Sequence, residues 1–168
     1  PPGPVPAEGH LRGGVTVIGT IGIANILLAR SFDEAHLINP MKLQRLLYIA
    51  ACEYLKEAGS LPFTENFAVW AYGPVLQSVH WNFGCFRTRP INVYGRDALG
   101  YVQGNGETID RRLEKCLNRA WFSFRDWSTT DLSDLLRKDG SAWYKAFQEG
   151  RETISKEDML ADFSYANE

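Results

Sequence analysis

The sequence lacks several features that would assign it to a specialised class. Its 168 residues include only three cysteines, Cys52, Cys85 and Cys116. Because this number is odd and no Cys-x-x-Cys pair is present, a disulfide framework is not expected, and we predict a reducing, cytoplasmic compartment. Lysine and arginine total 18 against 20 acidic residues. The chain therefore lacks the basic excess that is typical of dedicated nucleic-acid-binding domains.

Long apolar runs are also missing. The most apolar stretch, residues 15–28, is too short to span a bilayer and is interrupted by polar residues. Arg12 before it leaves a signal peptide as one interpretation, but helical spacing continues beyond the stretch and favours a core helix. We predict a flexible leader over residues 1–19, where prolines and glycines are frequent, and one domain over residues 20–168 with no membrane segment.

Catalytic motifs are absent as well. The chain has no Gly-x-Ser-x-Gly elbow and no phosphate-binding Walker loop. None of His10, His36 and His80 has a second histidine or a cysteine at metal-ligand spacing. A proton-transfer role for His80 would need a second group that the sequence does not supply. We therefore predict no enzymatic activity, no metal site and no cofactor.

Helical periodicity dominates what is present. Asn39 suits an N-cap, apolar residues then recur at three- and four-residue steps over residues 43–58, and Gly59 suits the end of the helix. Lys42 and Arg45 fall outside this apolar stripe, so they are predicted to be exposed. Comparable spacing predicts further helices over residues 20–35, 74–83, 109–127 (capped by Thr108), 129–136, 142–149 and 156–163.

Short strands complete the predicted fold. Residues 67–72 alternate as a strand does, with Trp70 and Tyr72 on the face opposite Phe67, and Gly73-Pro74 is predicted to end the strand and begin a helix. Residues 152–154 are predicted to be extended and to pair with this strand. Residues 85–107 are predicted to form a loop with one uncertain strand. The pattern indicates a mainly α fold, a compact single-domain helical bundle with a small β-hairpin-like element.

Large aromatic side chains are frequent for a domain of this size. They either pack in the core or contribute to a binding surface, where tryptophan and tyrosine are enriched. They are Trp70, Tyr72, Trp81, Trp121, Phe122, Trp127 and Trp143.

Two motifs carry a resemblance to a known family. The segment 43–48, Leu-Gln-Arg-Leu-Leu-Tyr, and the segment 69–75, Val-Trp-Ala-Tyr-Gly-Pro-Val, resemble the Panacea domain, and weaker matches extend over residues 20–163. Two departures are visible. Leu136-Arg137 stands where the family often has Thr-His, and residues 85–107 match no motif of the family.

The resemblance implies an antitoxin that neutralises a cognate protein toxin by direct binding. The family includes phage-associated proteins, and its toxins include small-alarmone-synthetase-like enzymes that block translation. One branch acts instead as an adaptor that delivers a toxin to a protease. Self-association into a homo-oligomer is left open.

The partner-binding residues are predicted at the second motif. We expect Trp70 and Tyr72 to be the anchors, in a turn that is completed by Gly73 and Pro74. Lys42 and Arg45 are expected to flank them, and an open strand edge could also accept a strand from the partner. The alternative is that residues 70–75 form only a tight structural turn.

A DNA-binding regulator is the rival interpretation. Basic and aromatic residues alternate in the middle of the chain, as they do in surfaces that hold phosphates and stack bases. Acidic neighbours dilute this cluster, so a nucleic-acid partner is not expected. The basic residues are Arg87, Arg89, Arg96, Arg111, Arg112, Lys115 and Arg119.

Overall fold

The computed structural model describes residues 11–12, 15–16, 18–104 and 106–166. Over these residues the chain is mainly helical with small antiparallel hairpins, which confirms the predicted fold class. The helices are α1 (Thr20–Asp33), α2 (Pro40–Ala58), α3 (Gln77–Phe83), α4 (Arg111–Phe124), α5 (Thr129–Arg137), α6 (Ala142–Gln148) and α7 (Lys156–Leu160). The strands are β1 (Leu11–Arg12), β2 (Val15–Thr16), β3 (Ala68–Trp70) and β4 (Gly73–Val75).

Part of the predicted leader lies outside the described residues, namely positions 1–10, 13–14 and 17. Within the leader, β1 pairs with β2 in an antiparallel register. Ile18 is buried in the core, and its N–H donates to the carbonyl of Thr108 at 3.0 Å. No helix in the described part of the chain is long and apolar enough to cross a membrane.

Helix α2 lies at the centre of the fold. The side chain of Asn39 accepts from the N–H of Lys42 at 2.8 Å, and Gly59 ends the helix at φ +79°. The predicted bounds of this helix are therefore confirmed. Its neighbours are α1, α3, α4, α5, α7 and β4.

The prediction that Lys42 and Arg45 are exposed is wrong. Lys42 is 7% exposed and Arg45 is 1% exposed. Because α2 is surrounded by other elements, its first half has no solvent face, and its long polar side chains bind carbonyl groups inside the protein. The ammonium of Lys42 donates to the carbonyls of Arg125 and Trp127, just beyond the end of α4. Burial lowers the pKa of Lys42, and the nearby charge of Asp126 opposes that shift.

The β3–β4 hairpin is fixed by pairing on both sides of β3. Ala68 lies opposite Val75 and Trp70 opposite Gly73 in β4. On the other edge, Ala68 forms a bridge with Thr153, which confirms the predicted pairing with residues 152–154.

Two predictions about this segment are wrong. The predicted strand ends at Trp70, and Ala71–Tyr72 form the turn. Gly73-Pro74 begins β4 rather than a helix, and α3 begins at Gln77. The same dipeptide suits both settings, since a proline is tolerated at a helix start and also on an edge strand, where it has no N–H to leave unpaired.

The later helices follow local capping signals with one exception. Ser128 accepts from the N–H of Asp131 and Ser155 from that of Asp158, as the sequence predicts. Thr108 is not the cap of α4. The carboxylate of Asp110 accepts from the N–H of Arg112 at 2.7 Å instead.

The loop between α3 and α4 is held by one buried amide. A 3-10 helix spans Gly84–Phe86, and Arg96 and Val102 form an isolated antiparallel bridge. The Asn25 side chain both accepts from the N–H of Gly95 and donates to its carbonyl, at 2.7 and 2.9 Å. Thus α1 fixes the middle of residues 85–107, the segment that the sequence predicts as a loop with one uncertain strand.

Candidate partner-binding surface

The two sequence motifs meet at the hairpin turn through Arg45. Its guanidinium donates from Nη2 to the carbonyl of Tyr72 and from Nη1 to that of Pro74, both at 2.6 Å. Its Nε donates to the hydroxyl of Ser133 on α5 at 3.2 Å. One side chain of α2 therefore ties the turn to two helices.

Gly73 leaves the space that Arg45 occupies. A Cβ atom at this position would lie 2.7 Å from Cζ of Arg45, and the backbone φ of +133° is one that other residues rarely adopt. A side chain at position 73 would thus displace the guanidinium. Gly73 and Pro74 have a structural role in the turn, which is the alternative that the sequence left open.

The outer edge of β4 is closed, so the open strand edge expected from the sequence is not found at this strand. Pro74 has no N–H, and Arg45 occupies its carbonyl. At Leu76 the side-chain amide of Gln44 takes the place of a neighbouring strand. It accepts from the N–H of Leu76 at 2.9 Å and donates to the carbonyl at 3.0 Å. A partner is therefore expected to contact side chains here rather than add a strand.

Side chains of α5 and α6 also hold the turn. Nη1 of Arg137 on α5 donates to the carbonyl of Ala71 at 3.0 Å, and the indole of Trp143 on α6 donates to that of Trp70 at 2.8 Å. Together with the two bonds from Arg45, side chains bind four carbonyls between positions 70 and 74. Such a turn is fixed before any partner arrives.

Aromatic side chains cover this fixed turn. Tyr72 is 63% exposed and Trp70 is 37% exposed. The ring of Trp70 packs edge-on against His80 of α3, with centroids 4.8 Å apart. Phe147 of α6 is 54% exposed and stacks on Trp143, also at 4.8 Å. We call Trp70, Tyr72, His80, Arg137 and Phe147 the hairpin surface.

The electrostatics of the hairpin surface are dominated by two arginines. Burial, followed by the like charge of Arg137, lowers the pKa of Arg45 to about 10. Arg45 forms no ion pair with the described residues, whereas Nη2 of Arg137 lies 2.9 Å from a carboxylate oxygen of Asp134. Two guanidinium groups therefore lie close together at the turn, and in the described part of the chain only that of Arg137 has a carboxylate partner.

The structure separates the predicted site residues. Trp70 and Tyr72 are exposed together, as expected, while Arg45, Gly73 and Pro74 lie beneath or within the turn. Lys42 binds the end of α4 and is not part of the hairpin surface. Sequence reasoning missed Arg137, because its contact with Ala71 joins residues 66 positions apart.

Three other kinds of site can be checked in the described residues, namely a metal site, a reactive cysteine and a basic surface. In the described ranges no three His, Cys, Asp or Glu side chains are grouped as metal ligands. Cys116 is buried, and burial followed by the charge of Glu57 raises its pKa to about 11. Two arginines of the basic cluster are ion-paired, Arg112 with Asp110 at 3.1 Å and Arg119 with Glu57 at 2.8 Å.

A comparison with models of protein families shows which family the chain belongs to. The family model described as "Antitoxin SocA-like, Panacea domain" matches residues 43–144, more than half of the chain. The chain belongs to the antitoxin SocA-like, Panacea domain family. In the corresponding comparisons, no curated protein and no solved structure matched the chain.

The Panacea match includes most of the surface described above. It begins at Leu43, the first residue of the first motif, and ends at Tyr144, one residue after Trp143. Arg45, the hairpin and Arg137 therefore lie within the matched segment, whereas Phe147 lies just beyond it. The resemblance drawn from the two motifs is confirmed.

Proposed function

We propose that this Panacea-domain protein is an antitoxin that neutralises a protein toxin by binding it through the hairpin surface. One observation carries the proposal. Trp70 and Tyr72 are presented to solvent on a turn whose carbonyls are held by side chains of three helices. The family supports an antitoxin role in general, and the exposed aromatic turn supports the hairpin surface as the proposed binding site.

A fixed aromatic surface suits binding for an energetic reason. Ordering one flexible side chain at an interface costs about 0.5–1.5 kcal/mol. Tryptophan and tyrosine offer a large contact area with few rotatable bonds, and they are enriched among the residues that contribute most to affinity. On this turn the backbone is already ordered, so less of the contact energy is lost on binding.

The predicted site residues take different roles in this proposal. Trp70 and Tyr72 are the anchors that touch the toxin. Arg45, Gly73 and Pro74 are positioning residues, since they shape and hold the turn. Lys42 has no direct role, because its ammonium binds two backbone carbonyls at the end of α4.

The mode of neutralisation has two forms that share this surface. The protein either occludes or distorts the toxin itself, or it delivers the toxin to a protease. Small-alarmone-synthetase-like enzymes that block translation are one toxin class that the resemblance implies. The reaction belongs to the toxin, so we propose no catalytic activity for this chain, and we place it in the cytoplasm.

Co-expression tests the proposal. The protein encoded beside this chain is induced alone to establish its toxicity, and then together with the wild type, Trp70→Ala or Phe122→Ala. Phe122 is a matched control, since it is an aromatic residue of α4 that is 62% exposed. We expect growth to be rescued by the wild type and by Phe122→Ala but not by Trp70→Ala, with all three antitoxins present in equal soluble amounts.

Two results would contradict this proposal. Full rescue by Trp70→Ala would remove the hairpin surface from the interface. Failure of the wild type to bind or neutralise a protein that is toxic alone would remove the antitoxin assignment for that pair. A gel shift with promoter DNA, run at two salt concentrations, separates the DNA-binding rival, because phosphate contacts weaken steeply with salt.

A further inference from the structure

The hairpin surface rests on a buried cation with no counter-charge. The guanidinium of Arg45 is almost fully buried, and its three hydrogen bonds go to neutral acceptors, two carbonyls and the hydroxyl of Ser133. No carboxylate among the described residues forms an ion pair with it. A charge in a poorly polarisable environment acts over a longer distance than one in water.

Arg137 is a second positive charge at the turn, and it is partly exposed to solvent. Its guanidinium binds the carbonyl of Ala71 and lies 5.9 Å from the ring centroid of Trp143. The side chain is 31% exposed, and its ion-pair partner Asp134 is 62% exposed. A guanidinium binds carboxylates well because it offers several charged N–H donors. In Arg137, Nε and Nη1 donate to the carbonyls of Ser133 and Ala71. Its Nη2 donates to the carboxylate of Asp134, which water largely surrounds.

We propose that the partner covers the hairpin surface with an acidic protein segment. One of its carboxylates binds Arg137, and a neighbouring apolar side chain packs against the exposed aromatic residues Trp70 and Phe147. Asp134 occupies part of this position in the free protein and is displaced. The inference rests on the proposed function and deepens it, because it states the chemistry of the toxin segment.

Nucleic acid fits the same charges less well. A phosphate backbone is bound by a row of exposed cations. The hairpin surface offers one partly exposed guanidinium, and Arg112 and Arg119 of α4 are engaged by carboxylates. The aromatic side chains beside Arg137 match an acidic segment that also carries apolar residues.

Peptide titration of the full chain tests the proposal directly. The probes are a synthetic peptide of alternating glutamate and phenylalanine, the same peptide with glutamine for glutamate, and a single-stranded DNA 10-mer. We expect the acidic peptide to shift the NMR signals of the Tyr72 amide and Arg137 Nε, and to bind at least about tenfold more tightly than the glutamine peptide at low salt. Equal binding of the two peptides, or tighter binding of the DNA at these residues, would overturn the proposal.

Three variants test whether peptide affinity falls when positive charge is removed and rises when negative charge is removed. Arg137→Gln keeps a hydrogen-bond donor near the position of Nε but has no charge, and we expect it to bind the acidic peptide about fivefold less tightly. Asp134→Asn removes the competing acid and is expected to bind about twofold to threefold more tightly. Asp33→Asn, the same change on α1, is expected to match the wild type. Weaker binding by Asp134→Asn would show that the ion pair only supports the fold and would overturn the proposal.

The same variants distinguish the two proposals when the toxin is used. Suppose that the wild type neutralises the toxin and the variants at Arg137 and Asp134 do so equally well. In that case the proposal of an acidic toxin segment is wrong, and the proposed antitoxin function stands. If the wild type fails to neutralise the toxin while the peptides follow the expected order, the antitoxin assignment fails and the preference for acidic segments stands.

Discussion

Helix α2 holds two irregular segments, with opposite results for the surface. Near its start, Arg45 binds the hairpin turn. At its middle the hydroxyl of Tyr48 donates to the carboxylate of Asp162 at 2.6 Å, and near its end the ammonium of Lys56 donates to the backbone carbonyl of Asp162. These bonds fix residues 161–166, which we call the C-terminal segment.

Most polar groups of the C-terminal segment are paired, either within the segment or with α2, and the buried hydroxyl of Ser164 is an exception. The buried carboxylate of Asp162 also accepts from the N–H of Ser164 at 2.9 Å. Tyr165 is buried, and its hydroxyl accepts from Lys56 and donates to Glu53, at 2.7 and 2.8 Å. Burial, followed by nearby Cys52, raises the pKa of Tyr165. Even the exposed ring of Phe163 lies 3.9 Å from the ammonium of Lys56.

The difference between the two segments indicates which of them is the better candidate for a binding surface. Both are tied to α2 by long side chains, so attachment alone does not mark a site. At the C-terminal segment, Asp162 and Tyr165 are paired with side chains of α2. The hairpin surface lies over the buried cation of Arg45, which has no acidic partner among the described residues, and it presents two exposed aromatic anchors that a partner would cover. The C-terminal segment is therefore scaffold, and the hairpin surface is the candidate interface.

Leu47→Asp is expected to have the largest effect and to destroy both segments. Leu47 lies on α2 and is fully buried. An unpaired carboxylate there is expected to cost more than about 5 kcal/mol, which is comparable to the whole stability of a small domain. Circular dichroism would show an unfolded chain at 25 °C. A melting temperature close to that of the wild type would mean that this face of α2 is not buried.

Arg45→Met is expected to break the hairpin and leave the C-terminal segment intact. It removes three donated hydrogen bonds, those to the carbonyls of Tyr72 and Pro74 and to the hydroxyl of Ser133, at a cost of about 3 kcal/mol. Denaturant unfolding measures the loss. Hydrogen exchange gives the regional contrast, with faster exchange expected at the Gly73 amide and no change at that of Ser164. Equal acceleration at both amides would refute the separation of the two segments.

Tyr48→Phe is the mirror experiment. It leaves the buried carboxylate of Asp162 with one donor fewer, and hydrogen bonds to charged groups contribute about 1.5–3 kcal/mol. We expect a loss of about 2 kcal/mol in the free energy of unfolding, with full neutralisation of the toxin. Loss of neutralisation by a folded Tyr48→Phe protein would assign the C-terminal segment to the interface.

Lys42→Ala is expected to have the smallest effect of the series. The ammonium binds the carbonyls of Arg125 and Trp127, but its burial is itself unfavourable and offsets part of that gain. We expect a loss of about 1 kcal/mol in the free energy of unfolding and no change in toxin binding. A binding defect without a stability defect would restore Lys42 to the interface.

Local signals explain how much of the fold could be predicted from the sequence. Asn39 and Gly59 set the ends of α2 because a cap and a left-handed glycine act within one helical turn. Ser128 and Ser155 set the starts of α5 and α7 in the same way. The Gly73-Pro74 step misled the prediction, because its chemistry suits a helix start and an edge strand equally.

The candidate site was predictable only in part, because much of it depends on distant contacts. Trp70 and Tyr72 stood out by residue type and alternation. Helical periodicity predicts that Arg45 is exposed, because it assigns polar residues to the solvent face. In a helix surrounded by other elements, a polar side chain can instead bind backbone carbonyls of its neighbours, as Arg45 does. The role of Arg137 depends on the turn that it binds, and nothing near it in the sequence indicates that turn.

The most direct test of the account compares Tyr72→Ala with Phe122→Ala in calorimetric binding to the purified toxin. The two side chains are exposed to the same extent, 63% and 62%, so neither truncation is expected to change the melting temperature by more than a few degrees. We predict that Tyr72→Ala weakens binding by about 2–4 kcal/mol, the range of an interface anchor, and that Phe122→Ala binds as the wild type does. Equal affinities for Tyr72→Ala and the wild type would contradict the hairpin surface as the toxin-binding site.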